Sequence, residues 1–160
     1  MINIRFANES DIPLIRRFIM ALAEYEHMSE MVVATDELLE EWIFQKQKAE
    51  VLIADYDGEA CGFALFFHNF STFLGRAGIY LEDLFVCPER RGIGVGKALL
   101  GRVAKIAEER GCGRLEWSCL DWNTPSIEFY KSLGAVSMDE WTTYRLTGDT
   151  LHKMANGAEK

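Results

Sequence analysis

The chain has 160 residues, 49% of them hydrophobic and 26% charged, the composition of a soluble globular protein with enough length for one domain and a sizeable core. A net charge of −8 argues against nucleic acid as a partner, which needs a basic footprint, and fits either a cationic small molecule or a plain acidic surface. The longest strongly apolar stretch, around Phe63 to Phe67, is far too short to span a bilayer, so no membrane association is expected. Ile2, Ile4 and Phe6 alternate with polar residues and predict a first strand. Ser10-Asp11-Ile12-Pro13 marks a helix start, with Pro near the first turn, and that helix extends to about Glu26. Thr35-Asp36-Glu37 caps a second helix through about Gln45. Val51 to Tyr56 and Cys61 to Phe67 are apolar runs joined by Asp57-Gly58, a hairpin signal. Ile79 to Val86 predicts a further strand, and Lys97 to Arg110 a third helix with Leu99, Val103 and Ile106 on one face. Leu115 to Ser118 is a short strand. Thr124-Pro125 opens a fourth helix through about Leu133, stopped by Gly134. Trp141 to Leu146 is a last strand, and the tail after about residue 148 is expected to be partly mobile.

This order predicts a mixed α/β fold in one domain, 1–160, without repeats or linkers. Asn3, Arg5, Asn8 and Glu9 break any apolar signal-peptide core. Cys61, Cys87, Cys112 and Cys119 form no CxxC pair and no metal-ligand spacing with His27, His68 and His152. They fit reduced thiols in a cytoplasmic protein, and no metal is expected. The histidines fit surface or strand-edge positions. Trp42, Trp117, Trp122 and Trp141 fit core or dimer-interface positions, since no basic residues interleave them as in a base-stacking surface.

The run Arg91-Gly92-Ile93-Gly94-Val95-Gly96-Lys97 lies between a strand and a helix. Glycines there expose backbone N–H groups, and the positive end of the helix dipole points the same way, which makes an anion site suited to phosphate. A ligand-free strand-to-helix turn remains the other reading. A P-loop is ruled out, because Arg91 stands where its first Gly belongs and Ala98 where Ser or Thr should hold magnesium. A Rossmann fingerprint fails at Lys97, where its third Gly is required.

What fits is Arg-x-x-Gly-x-Gly, which resembles the acetyl-coenzyme A pyrophosphate loop of the GNAT superfamily of N-acetyltransferases. Leu81-Glu82-Asp83-Leu84-Phe85-Val86 is similar to the strand that this family lays beside the pantetheine arm. Asn123-Thr124-Pro125-Ser126-Ile127-Glu128-Phe129-Tyr130 resembles its last motif, in which an Asn leads a helix and a Tyr lies near the thioester. Leu22-Ala23-Glu24-Tyr25-Glu26, Tyr80-Leu81-Glu82-Asp83, Trp122-Asn123 and Arg145-Leu146 are similar to the spermidine/spermine (diamine) and thialysine acetyltransferase subfamily. The chain departs from it between Ile53 and Gly62, a tight turn here where polyamine acetyltransferases can carry an insertion. The resemblance implies the GNAT fold, with a central mixed, mostly antiparallel sheet flanked by helices. It implies acetyl-coenzyme A as co-substrate, held by Leu84, Phe85, Val86, Arg91 to Lys97, Asn123, Pro125 and Ser126. It also implies a homodimer.

Acetyl transfer needs a neutral amine, and an alkylamine with a pKa near ~10 is almost wholly protonated at pH 7. A base must take that proton, directly or through water. Glu82 and Asp83 lie on successive strand positions and by alternation face opposite sides, Glu82 with Tyr80 and Leu84. The resemblance gives Glu82 the base role, and a structural carboxylate held by backbone donors is the other reading. Backbone N–H groups near Leu84 to Val86 could stabilise the carbonyl oxygen. Tyr130 is the candidate donor to the departing thiolate, or else a core aromatic against Phe129 and Ile127. Tyr25 and Glu26 bind the cationic substrate by resemblance, or end a solvated helix. These residues imply direct transfer to a primary amine of a small molecule, a di- or polyamine first and a thialysine-like side chain second. A non-catalytic acyl-coenzyme A module and acetylation of a protein N-terminus or lysine are the rivals.

Overall fold

In the computed structural model, which describes residues 1–157, the first strand, β1 (Ile2–Phe6), follows the alternation of its apolar residues. It pairs antiparallel with β2 (Glu50–Tyr56), from Ile2 opposite Tyr56 to Phe6 opposite Leu52. Asp57 and Gly58 both take positive φ, 50° and 86°, as a two-residue hairpin turn with the right-handed strand twist requires. The turn leads into β3 (Glu59–Ser71), and β3 returns as β4 (Arg76–Val86). A short fifth strand, β5 (Leu115–Trp117), joins β4 in parallel, so the sheet carries its strands in chain order. Only the last pairing is parallel, and the connection that it needs is supplied by α3 (Val95–Glu109).

Before the sheet's second strand come two helical segments. α1 (Ile12–Tyr25) starts within the Ser10 to Pro13 stretch, as expected, and is preceded by a single turn capped by Asn8. The Asn8 side chain accepts from the Ser10 N–H, while the Asp11 carboxylate accepts from the Asn8 N–H. Asp11 also accepts two bonds from Arg5, whose Nε donates to Asp55, so one guanidinium ties β1, β2 and the start of α1. α2 (Asp36–Leu39) is capped by Thr35, as expected, and continues through Glu40–Gln45 in a wider π-type coil. Ile15 and Phe18 of α1 and Ile43 pack with Val51, Ile53, Phe63 and Phe85 in one buried cluster, with Phe18 stacked on Phe63 at 5.5 Å. Val86, next to Phe85 and therefore on the other face, approaches α3 at Gly96.

The chain divides into two compact units, the first Met1–Ser118 and the second beginning at Cys119. The second unit contains α4 (Thr124–Ser132) and α5 (Gly148–Ala155). One expectation fails here. Trp141 to Leu146 is not a strand, because a strand exists only where a neighbour supplies its ladder, and none of the described residues pairs with it. The segment expected to be partly mobile carries α5, and residues 158–160 of it lie outside the described residues. Of the core or dimer-interface positions expected for the tryptophans, Trp42, Trp122 and Trp141 do not take the core ones, being exposed.

Candidate active site

The glycine loop forms as its sequence suggests. Gly92 and Gly94 adopt φ of 80° and 97°, a region that costs an ordinary residue about 1–2 kcal/mol. Gly94 is the N-cap of α3 and offers no side chain to the first turn. The first bond inside the helix runs from the Ala98 N–H to the Gly94 carbonyl, so the N–H groups of Val95, Gly96 and Lys97 have no acceptor within it. A Cβ on Gly92 would meet nothing within 4 Å, and one on Gly94 only Ile2, 4.0 Å away. The Cβ positions of Gly92 and Gly94 are thus open, as close approach of an anion to the loop backbone requires.

Beside the loop, β4 has one free edge. Its pairing with β5 covers only Ile79 to Leu81, opposite Leu115 to Trp117. From Glu82 to Val86 no strand among the described residues other than β3 pairs with it; on the other edge the Val86 carbonyl accepts from Arg91 Nε, and the rest of that edge can receive an extended ligand by main-chain hydrogen bonding. Leu84, Phe85 and Val86 lie on that stretch.

The register of β4 against β3 overturns the alternation argument for the acids. Leu65 stands opposite Asp83, and the next residue, Phe66, stands opposite Leu81. Glu82 is thus the extra residue of a β-bulge, and the in-and-out order of side chains slips at this point. Asp83 lies on the face of Leu65, whereas regular alternation from Leu81 would have put it on the other. Glu82 and Asp83 are therefore not segregated to opposite sides. Their charges interact, and Glu26 at the end of α1 interacts with both. Burial, then the charges of Glu82 and Glu26, push the Asp83 carboxyl up to about 7. Burial first, and Glu82 second, raise Glu26 as well. Asp83 is the member of this cluster that sequence reasoning missed. The adjacent acids were visible, but the bulge that lets them act together was not.

A half-buried acid of this kind makes stability depend on pH. The folded-state pKa of Asp83, about 7, lies above the ordinary 3.8. Between those values the folded state holds a proton that the unfolded state has lost, so this group's contribution to stability falls as pH rises and levels off above 7. Asp83→Asn should remove that slope. The stability difference, mutant minus wild type, should grow by about 2–3 kcal/mol between pH 5 and pH 8. Urea denaturation at the two pH values measures it, and an equal difference at both would show that Asp83 titrates normally.

Tyr25, the last residue of α1, lies against the loop. The Arg91 guanidinium sits over its ring at 5.3 Å and over Phe85 at 5.6 Å, while Arg91 Nε donates to the Val86 carbonyl at 2.8 Å. In the second unit, Asn123 is buried and is the N-cap of α4, Pro125 and Ser126 form its first turn, and Tyr130 lies on it with its ring 5.6 Å from Phe129. Ile93 and Lys97 are exposed on the loop and Val95 is buried beneath it. No group of His, Cys, Asp and Glu among the described residues has a metal-binding arrangement.

Comparison with known proteins fits this geometry. Residues 15–135 match the acetyltransferase (GNAT) family. The chain is 37% identical to thialysine N-epsilon-acetyltransferase of Bos taurus, over 95% of this chain and 96% of that protein. It is 32% identical to L-ornithine N5-acetyltransferase of Arabidopsis thaliana, over 92% of this chain and 85% of that one. Among solved structures, an integron cassette protein from the mobile metagenome of V. cholerae matches with a TM-score of 0.79 at 28% identity, covering 96% of this chain and 97% of its own. An aminoglycoside acetyltransferase from a soil metagenome shares the fold at 18% identity, with a TM-score of 0.77. The family match takes in β2 to β5, the glycine loop and α4, and the curated relatives align over nearly the full length, so the chain belongs to the GNAT family of acetyltransferases.

Proposed function

We propose that this acetyltransferase moves an acetyl group from acetyl-coenzyme A directly to a primary amine of a small cationic molecule, both bound at once. The observation that carries the acceptor class is the acidic cluster of Glu26, Glu82 and Asp83. Three carboxyls whose charges interact suit an acceptor with more than one cationic nitrogen. A di- or polyamine meets that need. A thialysine-like amino acid with its two amines meets it too, and the full-length likeness to thialysine acetyltransferases favours this second reading.

Each residue has a task in this reading. The amides of Gly92 to Lys97 hold the pyrophosphate, and the free edge of β4 at Leu84 to Val86 lies along the pantetheine arm. Glu82 takes the ammonium proton through water, and Tyr25 and Glu26 bind the rest of the acceptor. The neutral nitrogen bonds to the carbonyl carbon as the carbon–sulfur bond breaks. Tyr130 then gives its proton to the thiolate and regains one, through water, from the newly bonded nitrogen, which leaves amide, free thiol and the proton held by Glu82; Asn123, Pro125 and Ser126 shape the helix that carries Tyr130. The reading includes a homodimer in the cytoplasm. The exposed Trp141, Tyr144 and Leu146 support the first part, and the absence among the described residues of a helix able to cross a membrane is compatible with the second.

A panel of acceptors tests the proposal, with release of the coenzyme A thiol as readout. Spermidine, 1,3-diaminopropane, L-ornithine and thialysine are expected to turn over, and butylamine and a lysine-bearing peptide much less. Preference for the peptide would overturn the acceptor class. For the loop, Gly94→Val places a branched side chain where the phosphate belongs and at a strained φ. Calorimetry should find acetyl-coenzyme A binding weakened at least ~10-fold, with amine binding little changed. Unchanged affinity in a folded variant would remove the loop from the site.

A further inference from the structure

Arg91 belongs to the glycine loop by sequence, yet its side chain is engaged elsewhere. Nε is bonded to the Val86 carbonyl on β4, and the planar guanidinium lies over Tyr25 and Phe85. One residue therefore joins three parts of the site: the loop whose amides are open to phosphate, the strand edge open to an extended ligand, and the last residue of the helix that carries Glu26. We propose that Arg91 is a positioning residue that couples the two substrate sites, so that occupation of the glycine loop orders the acceptor end of α1 through the Arg91–Tyr25 stack. This rests on the acetyl-coenzyme A reading of the loop.

Arg91, Gly92, Ile93 and Gly94 are all exposed, and the glycines carry no side chain to anchor them. An anion bonded to several of these amides fixes the backbone that starts at Arg91. Nε is already committed to Val86, so fixing the Cα also fixes the plane of the guanidinium. Stacking on an aromatic face depends on that plane, and the attraction is strongest when the cation stays over the ring. A restrained Arg91 thus restrains Tyr25 and the turn that contains it. Ordering paid once, on cofactor binding, is not required again when the amine arrives, and the coupling is reciprocal.

Two amides report on that turn: Glu26 N–H, bonded to the Leu22 carbonyl at 2.9 Å, and Met28 N–H, bonded to the Ala23 carbonyl at 2.8 Å. Hydrogen–deuterium exchange is measured on the whole protein with and without saturating coenzyme A, in wild type, Arg91→Met, Tyr25→Leu and Tyr25→Phe. In wild type, coenzyme A should slow exchange both at the loop and at Glu26 and Met28, the latter by roughly 3- to 10-fold, the low end of known couplings. Arg91→Met and Tyr25→Leu should keep the loop effect and lose the α1 effect, and Tyr25→Phe, which keeps the ring, should restore it. Loop protection with unchanged α1 exchange in wild type overturns the coupling alone. The same holds if Arg91→Met retains α1 protection, or if it abolishes coenzyme A binding, which would make Arg91 a phosphate ligand. No loop protection by coenzyme A in wild type overturns the cofactor reading and the coupling together.

Discussion

Tyr130→Phe is expected to lower turnover by roughly 10²–10⁴-fold, the range for loss of one acid–base group. The substitution keeps the ring beside Phe129 and deletes only the hydroxyl, so α4 should survive. A phenol with a pKa near ~10 stays protonated at pH 7 and can still give its proton to a thiolate of comparable basicity. Binding of acetyl-coenzyme A should change far less, because a thioester sulfur is a poor acceptor and little is gained from the hydroxyl before the carbon–sulfur bond breaks. Steady-state kinetics beside a cofactor titration on one folded sample separate the two effects. Near-normal turnover would make Tyr130 a packing residue and leave water as the proton source.

Glu82→Gln should cost roughly 10²-fold or more at pH 7, again the scale of one proton-transfer group, and the deficit should shrink as pH climbs toward the acceptor's own pKa. At pH 7 most of the amine is charged and the base is needed; near pH 10 much of it arrives neutral. The cluster adds a second signature. Glu82 is one of the charges that hold Asp83 near 7, so its removal should let the Asp83 carboxyl titrate lower. The apparent acid-side pKa of the rate profile should move down in Glu82→Gln if Asp83 contributes to it. A profile parallel to wild type at every pH would mean that Glu82 only positions the amine.

How much of this was legible in the chain depended on whether the deciding interaction was local. The Asp57-Gly58 turn, the Thr35 cap and the glycine loop are each set by residues within a few positions, and their sequence reading matches the structure. The sequence marks the helix start at Ser10, and the short turn capped by Asn8 lies just ahead of α1. Trp141 to Leu146 holds the aromatic and β-branched residues that strands favour, but such a preference says nothing of a neighbour to bond with. The slip between Leu81 and Asp83 is of the same kind. It is a property of two strands together, and the sequence of β4 alone carries no mark of it. The site residues suggested by resemblance came through motif similarity, whereas the grouping of Glu26, Glu82 and Asp83 needed coordinates.

The extra residue in β4 also bears on how this chain tolerates loss of length. In a regular strand a one-residue deletion swaps every following side chain between the core and the opposite face. Deleting Glu82 here would not, since Leu81 and Asp83 already pair with consecutive residues of β3, and removal of the position between them leaves a regular ladder. The shortened chain should therefore keep Phe85 in its cluster with Phe18 and Phe63 while losing the acid on which acetyl transfer is proposed to depend. At this position the sheet and the chemistry are separable by a single codon.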